Sequence, residues 1–256
     1  MTVDISPNST VASRPATARI GCAGWSITGA CAPEFPGTGS HLERYARVLS
    51  MAEINSSFYR PHQPQTYARW ADSVTGPFRF SVKLPRSITH ARRLFDIAGE
   101  LGPFREQVSA LGDRLGCVLV QLPPSLHCDA ITADAFFSLL RRSFACTLAC
   151  EARHPSWFDA PATALLTQHA ITRVIADPAV GQPGPHVPTT AAIYLRLHGS
   201  PRRYYSAYAD DYLLQISRDI GTHVIAGREI WCVFDNTAAG AALPNALLVQ
   251  RSLVQT

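Results

Sequence analysis

The sequence predicts an α/β fold, a single (β/α)8 TIM-type barrel, from three observations. Eight short segments rich in Val, Ile, Leu and Phe alternate with segments of helical periodicity. Most of the short segments are continuous apolar runs, which is typical of parallel strands buried on both faces. The length of 256 residues suits one barrel. The rival fold, an open doubly wound sheet, would need G-x-G-x-x-G after the first strand, where only Gly21 and Gly24 occur.

The predicted strands end at polar residues or at Pro and Gly, which interrupt a sheet ladder. Pro123 and Pro124, for example, end the fourth strand. In chain order, the eight strands are predicted at residues 19–23, 52–58, 78–84, 116–122, 147–152, 172–176, 192–197 and 229–234.

Helices are predicted after nearly all of these strands. Ser40 is a suitable N-cap for the first helix. Leu42, Tyr45 and Leu49 would then share one face of that helix. Residues 178–190 contain four prolines and two glycines, which predicts an irregular crossover between strands six and seven. The other helices are predicted at residues 65–73, 97–114, 132–142, 161–169, 208–220 and 238–250.

The chain divides into a tail and one domain. Residues 1–18, rich in Ser, Thr, Pro and Ala, predict a disordered N-terminal tail, and residues 19–256 form the barrel domain. The tail lacks the apolar core of a secretory signal. The sequence contains no run of 18 apolar residues, so no membrane span is predicted. Together with seven irregularly spaced cysteines, this favours a cytoplasmic protein with reduced thiols and no membrane partner.

Polar side chains stand at or near the carboxyl ends of strands two to eight, where a barrel builds its active site. Burying that many charged groups is costly unless they pair or bind a ligand. The candidates for acid–base catalysis are Glu53, Glu151, Asp177 and His198. The candidates for substrate binding are Trp25, Asn55, Tyr59, Lys83, His90, Gln121, Arg153, Trp157, Arg196, Tyr204, Tyr208 and Asn236.

Several of these residues also have a structural interpretation. Arg196 can form a structural ion pair with Glu151 or Asp177. The aromatic candidates in the loops can equally pack in the core or in a lid.

The same positions carry a resemblance to a known family. The motifs are I-G-C-A-G-W-S at 20–26, E-I-N-S-S-F-Y at 53–59, F-S-V-K at 80–83, I-T-H at 88–90, Q-L-P-P at 121–124, E-A-R-H-P-S-W-F at 151–158, I-A-D at 175–177, L-R-L-H-G at 195–199 and F-D-N at 234–236. Together they resemble the YecE-like family, a domain of unknown function, over about residues 19–251. The resemblance implies a TIM-type barrel and no established reaction. The chain departs from the family in having fewer aromatics at 27–37 and in carrying Asp235 where the family commonly has Asn.

The leading hypothesis is an enzyme, either a hydrolase or an isomerase or lyase. Its ligand would be small and anionic or polyhydroxylated, such as a phosphorylated or sugar-like compound, and the mild net charge of +4 is compatible with this. Lys83, Arg153 and Arg196 would bind its phosphate or carboxylate. One of the candidate carboxylates would act as general base, with His198 as its proton partner.

A sharper variant is a divalent metal site, with Mn or Mg as the cofactor. Glu151, Asp177, His198 and Asp235 end four successive predicted strands, and these oxygen and imidazole ligands suit such ions. The order of these residues is similar to the ligand order of the xylose-isomerase-like sugar isomerases.

Two alternatives come from other functional classes. One is nucleic-acid binding or phosphodiester cleavage resembling endonuclease-IV-type barrels, with Arg and Tyr side chains of residues 202–208 stacking on bases. It is less favoured because no basic run and no multi-histidine cluster occurs. The other is a non-catalytic ligand-binding barrel, which nothing in the sequence excludes.

Overall fold

One sheet of nine parallel strands forms the centre of the protein in the computed structural model, which describes residues 17–254. Most of the predicted tail lies outside the described residues. The strand order is β6-β5-β4-β3-β2-β1-β9-β8-β7, so the first strand lies between the second and the last. The strands are β1 (Ala18–Ala23), β2 (Met51–Ile54), β3 (Arg79–Lys83), β4 (Leu115–Gln121), β5 (Thr147–Glu151), β6 (Ile171–Arg173), β7 (Ile175–Asp177), β8 (Ile193–Leu197) and β9 (Ile230–Phe234).

Strands β6 and β7 are two halves of the predicted sixth strand, interrupted at Val174. The lower half, β6, pairs with β5, and the upper half, β7, pairs with β8. The Thr189 hydroxyl donates to the Ile171 carbonyl at 2.6 Å and accepts from the Arg173 amide at 2.8 Å. It therefore takes two backbone groups that a neighbouring strand would otherwise satisfy. The result is a nearly closed barrel of eight strand positions, as the sequence predicts.

Helices surround the sheet and follow most strands. Ser40 and Glu43 form a capping box at the first helix, and Asp129 and Asp159 cap two later ones. Residues 178–192 contain no helix, which confirms the predicted irregular crossover. The helices are α1 (His41–Ala46), α2 (Pro64–Asp72), α3 (Ala98–Ser109), α4 (Ala130–Ser143), α5 (Ala160–Gln168), α6 (Asp210–Ile225) and α7 (Ala242–Val254).

The barrel interior has an apolar lower half. Side chains alternate along each strand, so one set of positions fills the barrel and the other packs against the helices. Tyr194 and Trp231 stack with ring centroids 6.2 Å apart, and Met51 and Leu119 are buried in the same cluster. Two residues further along β2 and β8, the inward positions are Glu53 and Arg196. The apolar layer therefore supports a charged layer at the carboxyl ends of the strands.

Within the described residues, no helix has both the length and the apolar character needed to cross a membrane.

Candidate active site

Arg196 is the centre of an ion network in the upper half of the barrel. Its buried guanidinium donates from Nε and Nη2 to Glu53 Oε2 and Oε1 at 3.0 and 2.5 Å, and from Nη1 to Glu151 Oε2 at 2.8 Å. Nη2 also lies 3.1 Å from Asp235 Oδ2. One side chain on β8 therefore ties together carboxylates from β2, from β5 and from the end of β9. Because its donors are directed at these carboxylates, Arg196 orders the network and does not offer a free fork to a ligand.

Glu151 uses its second oxygen for other partners. Oε1 accepts from Arg153 Nε at 2.8 Å and Nη2 at 2.6 Å, and it lies 3.3 Å from His198 Nε2. The other nitrogen of His198, Nδ1, lies 3.0 Å from Asp235 Oδ2. The imidazole thus bridges two carboxylates, one on each side. This arrangement fixes the ring and holds it ready to carry a proton.

The network favours the charged forms of Glu151, His198 and Asp235 despite burial. Burial opposes ionisation of Glu151, but Arg196 and the His198 hydrogen bond hold the pKa of that carboxyl well below its usual range. Burial likewise opposes the charge on His198, but its hydrogen bonds to Asp235 and Glu151 raise its pKa. The Asp235 pKa is lowered because Arg196 and His198 outweigh its burial. His198 is therefore biased toward the imidazolium form beside two carboxylates.

Lys83 lies at the end of β3 and is 5% exposed. Its Nζ lies 4.1 Å from the centroid of the Phe58 ring. Burial, together with the nearby charge of Arg196, lowers the pKa of Lys83 to about 8. His90, edge-on to Phe58 at 5.0 Å, has its pKa lowered to about 4 by burial and by the Lys83 charge. Lys83 and a neutral His90 therefore form a second polar group beside the ion network.

Tyr204 lies over the network in a strained conformation. Its φ of 69° is left-handed, which costs a non-glycine residue free energy and marks a position held by its surroundings. The Tyr204 amide donates to the His198 carbonyl at 2.5 Å, and the Tyr204 carbonyl accepts from the Ala238 amide at 3.0 Å. Its ring then meets the His198 ring edge-on at 5.5 Å. The structure therefore places the predicted Tyr204 against the imidazole.

Asp177 belongs to a separate group of hydrogen bonds. It accepts from the Tyr208 hydroxyl at 3.1 Å and from the Tyr212 hydroxyl. The Tyr208 hydroxyl also accepts from the Gly199 amide at 2.9 Å. Asp177 thus pairs with tyrosines and not, as the sequence allowed, with Arg196.

Three predicted amide residues lie at strand ends. Asn55 follows β2, and its Oδ1 is buried without a hydrogen-bond partner among the described residues. Asn236 follows β9, and Nδ2 donates to the Ser206 carbonyl at 2.9 Å while Oδ1 has no such partner. Gln121 is buried at the end of β4, beside Glu151 in the sheet register. Asn55 and Asn236 therefore each hold a buried acceptor that has no donor among the described residues.

The aromatic candidates serve different purposes. Trp157 is 1% exposed and donates its Nε1–H to the Leu126 carbonyl at 2.9 Å, so it belongs to the core. Trp25 packs edge-on against Trp70 at 5.1 Å. Tyr59 is 75% exposed and lines a cavity of about 560 Å³ that opens toward α3. Trp157 therefore packs in the core, as the structural interpretation of the aromatic candidates allowed, whereas Tyr59 is exposed to solvent.

A family model described as "Protein of unknown function DUF72" matches residues 19–256. The chain belongs to the DUF72 family. The UPF0759 protein YecE of Escherichia coli K12 is 30% identical over 142 residues, covering 53% of this chain and 52% of that relative. The alignment thus spans about half the length of the curated relative, and the sequence resemblance to YecE is confirmed.

Two solved DUF72 structures have the same fold. A crystal structure of a DUF72 family protein from Thermotoga maritima superposes with a TM-score of 0.78 at 26% identity, covering 93% of this chain and 99% of that one. One from Enterococcus faecalis gives 0.77 at 22% identity, covering 94% and 96%. The α/β barrel is therefore the fold of this DUF72 chain.

The predicted Mn or Mg site does not fit this arrangement. Across residues 17–254, no group of three or more His, Cys, Asp and Glu side chains is placed to hold a metal ion. Glu151 and Asp235 face Arg196, and Asp177 bonds to the tyrosines. The carboxylates do not form a metal site because the Arg196 guanidinium lies among them and already neutralises their charge.

Two members of the site were not among the predicted site residues. The Tyr194 hydroxyl donates to Glu53 Oε2 at 3.0 Å and shares a 2.7 Å hydrogen bond with Ser81 Oγ. Tyr194 is two residues before Arg196, so strand alternation already placed it on the same face. Phe58, whose ring lies against the Lys83 ammonium, belongs to a short 3-10 turn after β2. The prediction that the second strand continues to residue 58 was wrong, because β2 ends at Ile54.

Proposed function

We propose that this protein is an enzyme that acts by proton transfer on a small anionic or polyhydroxylated ligand bound over the carboxyl ends of the barrel strands. The observation that carries the proposal is the His198 imidazole held between Glu151 and Asp235. A histidine with a raised pKa between two fixed carboxylates is suited to give and take protons.

The charges of the site favour an anionic or hydroxyl-rich ligand. The three carboxylates of Glu53, Glu151 and Asp235 are matched by Arg196, Arg153 and a protonated His198, so Lys83 supplies the one positive charge in excess. The buried Oδ1 atoms of Asn55 and Asn236 have no donor among the described residues, and a ligand hydroxyl that reached them would supply one.

A cavity lies to one side of the network, at the end of β1 and after β9. Its volume is about 310 Å³, and it is lined by Cys22, Ser26, Thr28, Thr237 and Leu243 among others, but by none of the network side chains. Its size is at the lower end of the range for small-molecule sites, roughly 300–1,000 Å³.

A thermal-shift screen tests the proposal. The probes are inorganic phosphate, sugar phosphates, hydroxy acids and neutral sugars, added to the wild-type protein, to His198→Asn and to Glu229→Gln. Glu229 pairs with Arg19 at the opposite end of the barrel, which makes it the matched control. A ligand at about 100 times its Kd adds roughly 2.7 kcal/mol to stability, which raises Tm by several degrees.

We expect one ligand class to stabilise the wild type and Glu229→Gln but not His198→Asn. Prolonged incubation with that ligand, followed by NMR, should then show product with the wild type and with Glu229→Gln but not with His198→Asn. No stabilisation by any class, or an equal shift in His198→Asn, contradicts the site. Binding without product contradicts the enzyme and favours a non-catalytic barrel.

A further inference from the structure

Lys83 is the only lysine in the sequence, and the other 22 of the 23 basic residues are arginines. Arginine therefore serves every other cationic position of this chain, both on the surface and in the buried network. Arginine also forms the better ion pairs, since its planar group makes two parallel hydrogen bonds. A lysine at one position, and there alone, indicates a need for a property that arginine lacks. That property is an amine that releases its proton within the physiological pH range.

The surroundings of Lys83 differ from those of the other buried cations at the mouth. Arg153 and Arg196 each form ion pairs with carboxylates at 2.5–2.8 Å. Within the described residues, no carboxylate lies within 4.0 Å of Lys83 Nζ, which lies instead against the face of the Phe58 ring. Lys83 is 5% exposed and lacks an ion pair, so the Phe58 ring and the more distant carboxylates favour its charge less than burial opposes it.

The same surroundings make the amine reactive. Burial lowers the pKa of Lys83 to about 8. About a tenth of the molecules then carry the free amine at pH 7, against fewer than about one in a thousand for an ordinary lysine. The free amine has a lone pair and is the nucleophilic form.

We propose that Lys83 is a catalytic amine that forms an imine with an aldehyde or ketone carbonyl of the substrate. The inference rests on the proposed function, because it assumes that the substrate binds at the same mouth. It narrows the ligand to a small carbonyl compound that also carries hydroxyl or acidic groups.

The step balances without an oxidant or a reductant. The Nζ lone pair forms a bond to the carbonyl carbon, and the C=O π electrons move to the oxygen, which takes a proton. The nitrogen then loses a proton, and the protonated hydroxyl leaves as water while C=N forms. His198 and its carboxylates are the proton donors and acceptors of this mouth, and the charges of Glu53, Glu151 and Asp235 act on Nζ and favour a cationic iminium.

Because the chain has one lysine, reductive trapping reports on this residue directly. The native protein is incubated at pH 7 with sodium cyanoborohydride and, one at a time, with glyoxylate, pyruvate, dihydroxyacetone phosphate and glyceraldehyde 3-phosphate. Intact mass and peptide mapping then distinguish an adduct on Lys83 from one on the N-terminal amine, the other amine of the chain. The controls are the urea-unfolded protein and the variants Lys83→Arg and Lys83→Met, with their folding checked by circular dichroism.

We expect at least one probe to label Lys83 tenfold or more faster in the native protein than in the unfolded protein. The label should be absent from both folded variants. Labelling of Lys83 no faster in the native protein than in urea, with every probe, overturns the inference. If the ligand-induced thermal shift and its loss in His198→Asn persist in that case, only the imine is wrong and the proposed function stands. If that shift is absent as well, the proposed function fails independently.

Discussion

Arg196 and Glu53 form an ion pair in which neither side chain exposes any surface. Two hydrogen bonds, from Nε and Nη2, join them, and Nη1 of the same guanidinium donates to Glu151. Because an isolated buried charge is strongly unfavourable, each charged side chain depends on its partner being present. The charged layer of the barrel therefore folds as one unit, with Arg196 as its indispensable member.

Replacing Arg196 by methionine should destabilise the protein strongly. The change leaves Glu53, Glu151 and Asp235 close together without their shared cation, at a cost of about 3–5 kcal/mol at pH 7. Urea denaturation measures the loss. Arg92→Met is the matched control, because Arg92 pairs with Glu100 at the surface, where such a pair contributes less than about 1 kcal/mol. Equal effects of the two substitutions would contradict the role of Arg196.

The stability that the ion network provides should depend on pH. Because the folded-state pKa of Glu151 is lowered, its contribution to stability is present above the unfolded pKa near 4.5 and is lost as the pH falls through the folded value. The deficit of Arg196→Met should therefore shrink below pH 4.5. A deficit that stays constant with acidification would show that the carboxylates are not the cause.

His198 should titrate above an ordinary histidine, because Asp235 and Glu151 both favour its charged form. A group with a raised pKa stabilises the fold below its unfolded pKa of about 6.5 and loses that contribution as pH rises through the folded value. NMR titration of the imidazole signals, assigned by His198→Asn, measures the midpoint directly. His90, with a pKa of about 4, is the internal comparison. A His198 midpoint below 6.5 would refute the bridging geometry.

Lys83→Met should stabilise the protein at neutral pH. Folding lowers the lysine pKa from 10.5 to about 8, so the unfolded chain binds the extra proton and the cost of the buried charge is about 3 kcal/mol below pH 8. That cost disappears as the pH rises toward 10.5. Urea denaturation at pH 7 and pH 9.5 should show a variant that is more stable at pH 7 and a difference that narrows at pH 9.5. Lys83→Arg keeps the charge and should gain nothing.

Gly21→Ala should unfold or severely destabilise the barrel. A Cβ at Gly21 would lie 1.9 Å from the Met51 carbonyl oxygen on the adjacent strand, and a backbone atom cannot move aside without breaking the β1–β2 register. The expected loss is at least about 3 kcal/mol, the upper part of the range for overpacking. Gly29→Ala is the control, because nothing lies within 4 Å of its Cβ position. Thermal unfolding of both variants provides the comparison.

Local patterns in the sequence were sufficient to predict most of the fold. The eight strand positions, the Ser40 cap and the helix-free crossover follow from periodicity, turn residues and proline content, which act over a few residues. The division of the sixth strand at Val174 could not be predicted in this way. It depends on the Thr189 hydroxyl, which reaches back across the crossover to the backbone of β6.

The candidate site was predictable in its location more than in its pairing. Strand alternation placed Glu53, Glu151, Arg196 and His198 on the inner face, because that periodicity is fixed by the backbone. It did not show that Arg196 binds three carboxylates, or that Asp177 turns to the tyrosines. Those choices depend on side-chain length and on distances across the barrel, which no spacing along the chain records.

The break at Val174 gives the barrel wall a seam. The three residues of β6, before the break, pair with β5, and the three residues of β7, after it, pair with β8. Strain at the rim can be taken up at this point while the registers of the other strands stay intact. Amide hydrogens beside the seam should accordingly exchange with deuterium sooner than those of β3 and β4, whose ladder is bonded on both sides.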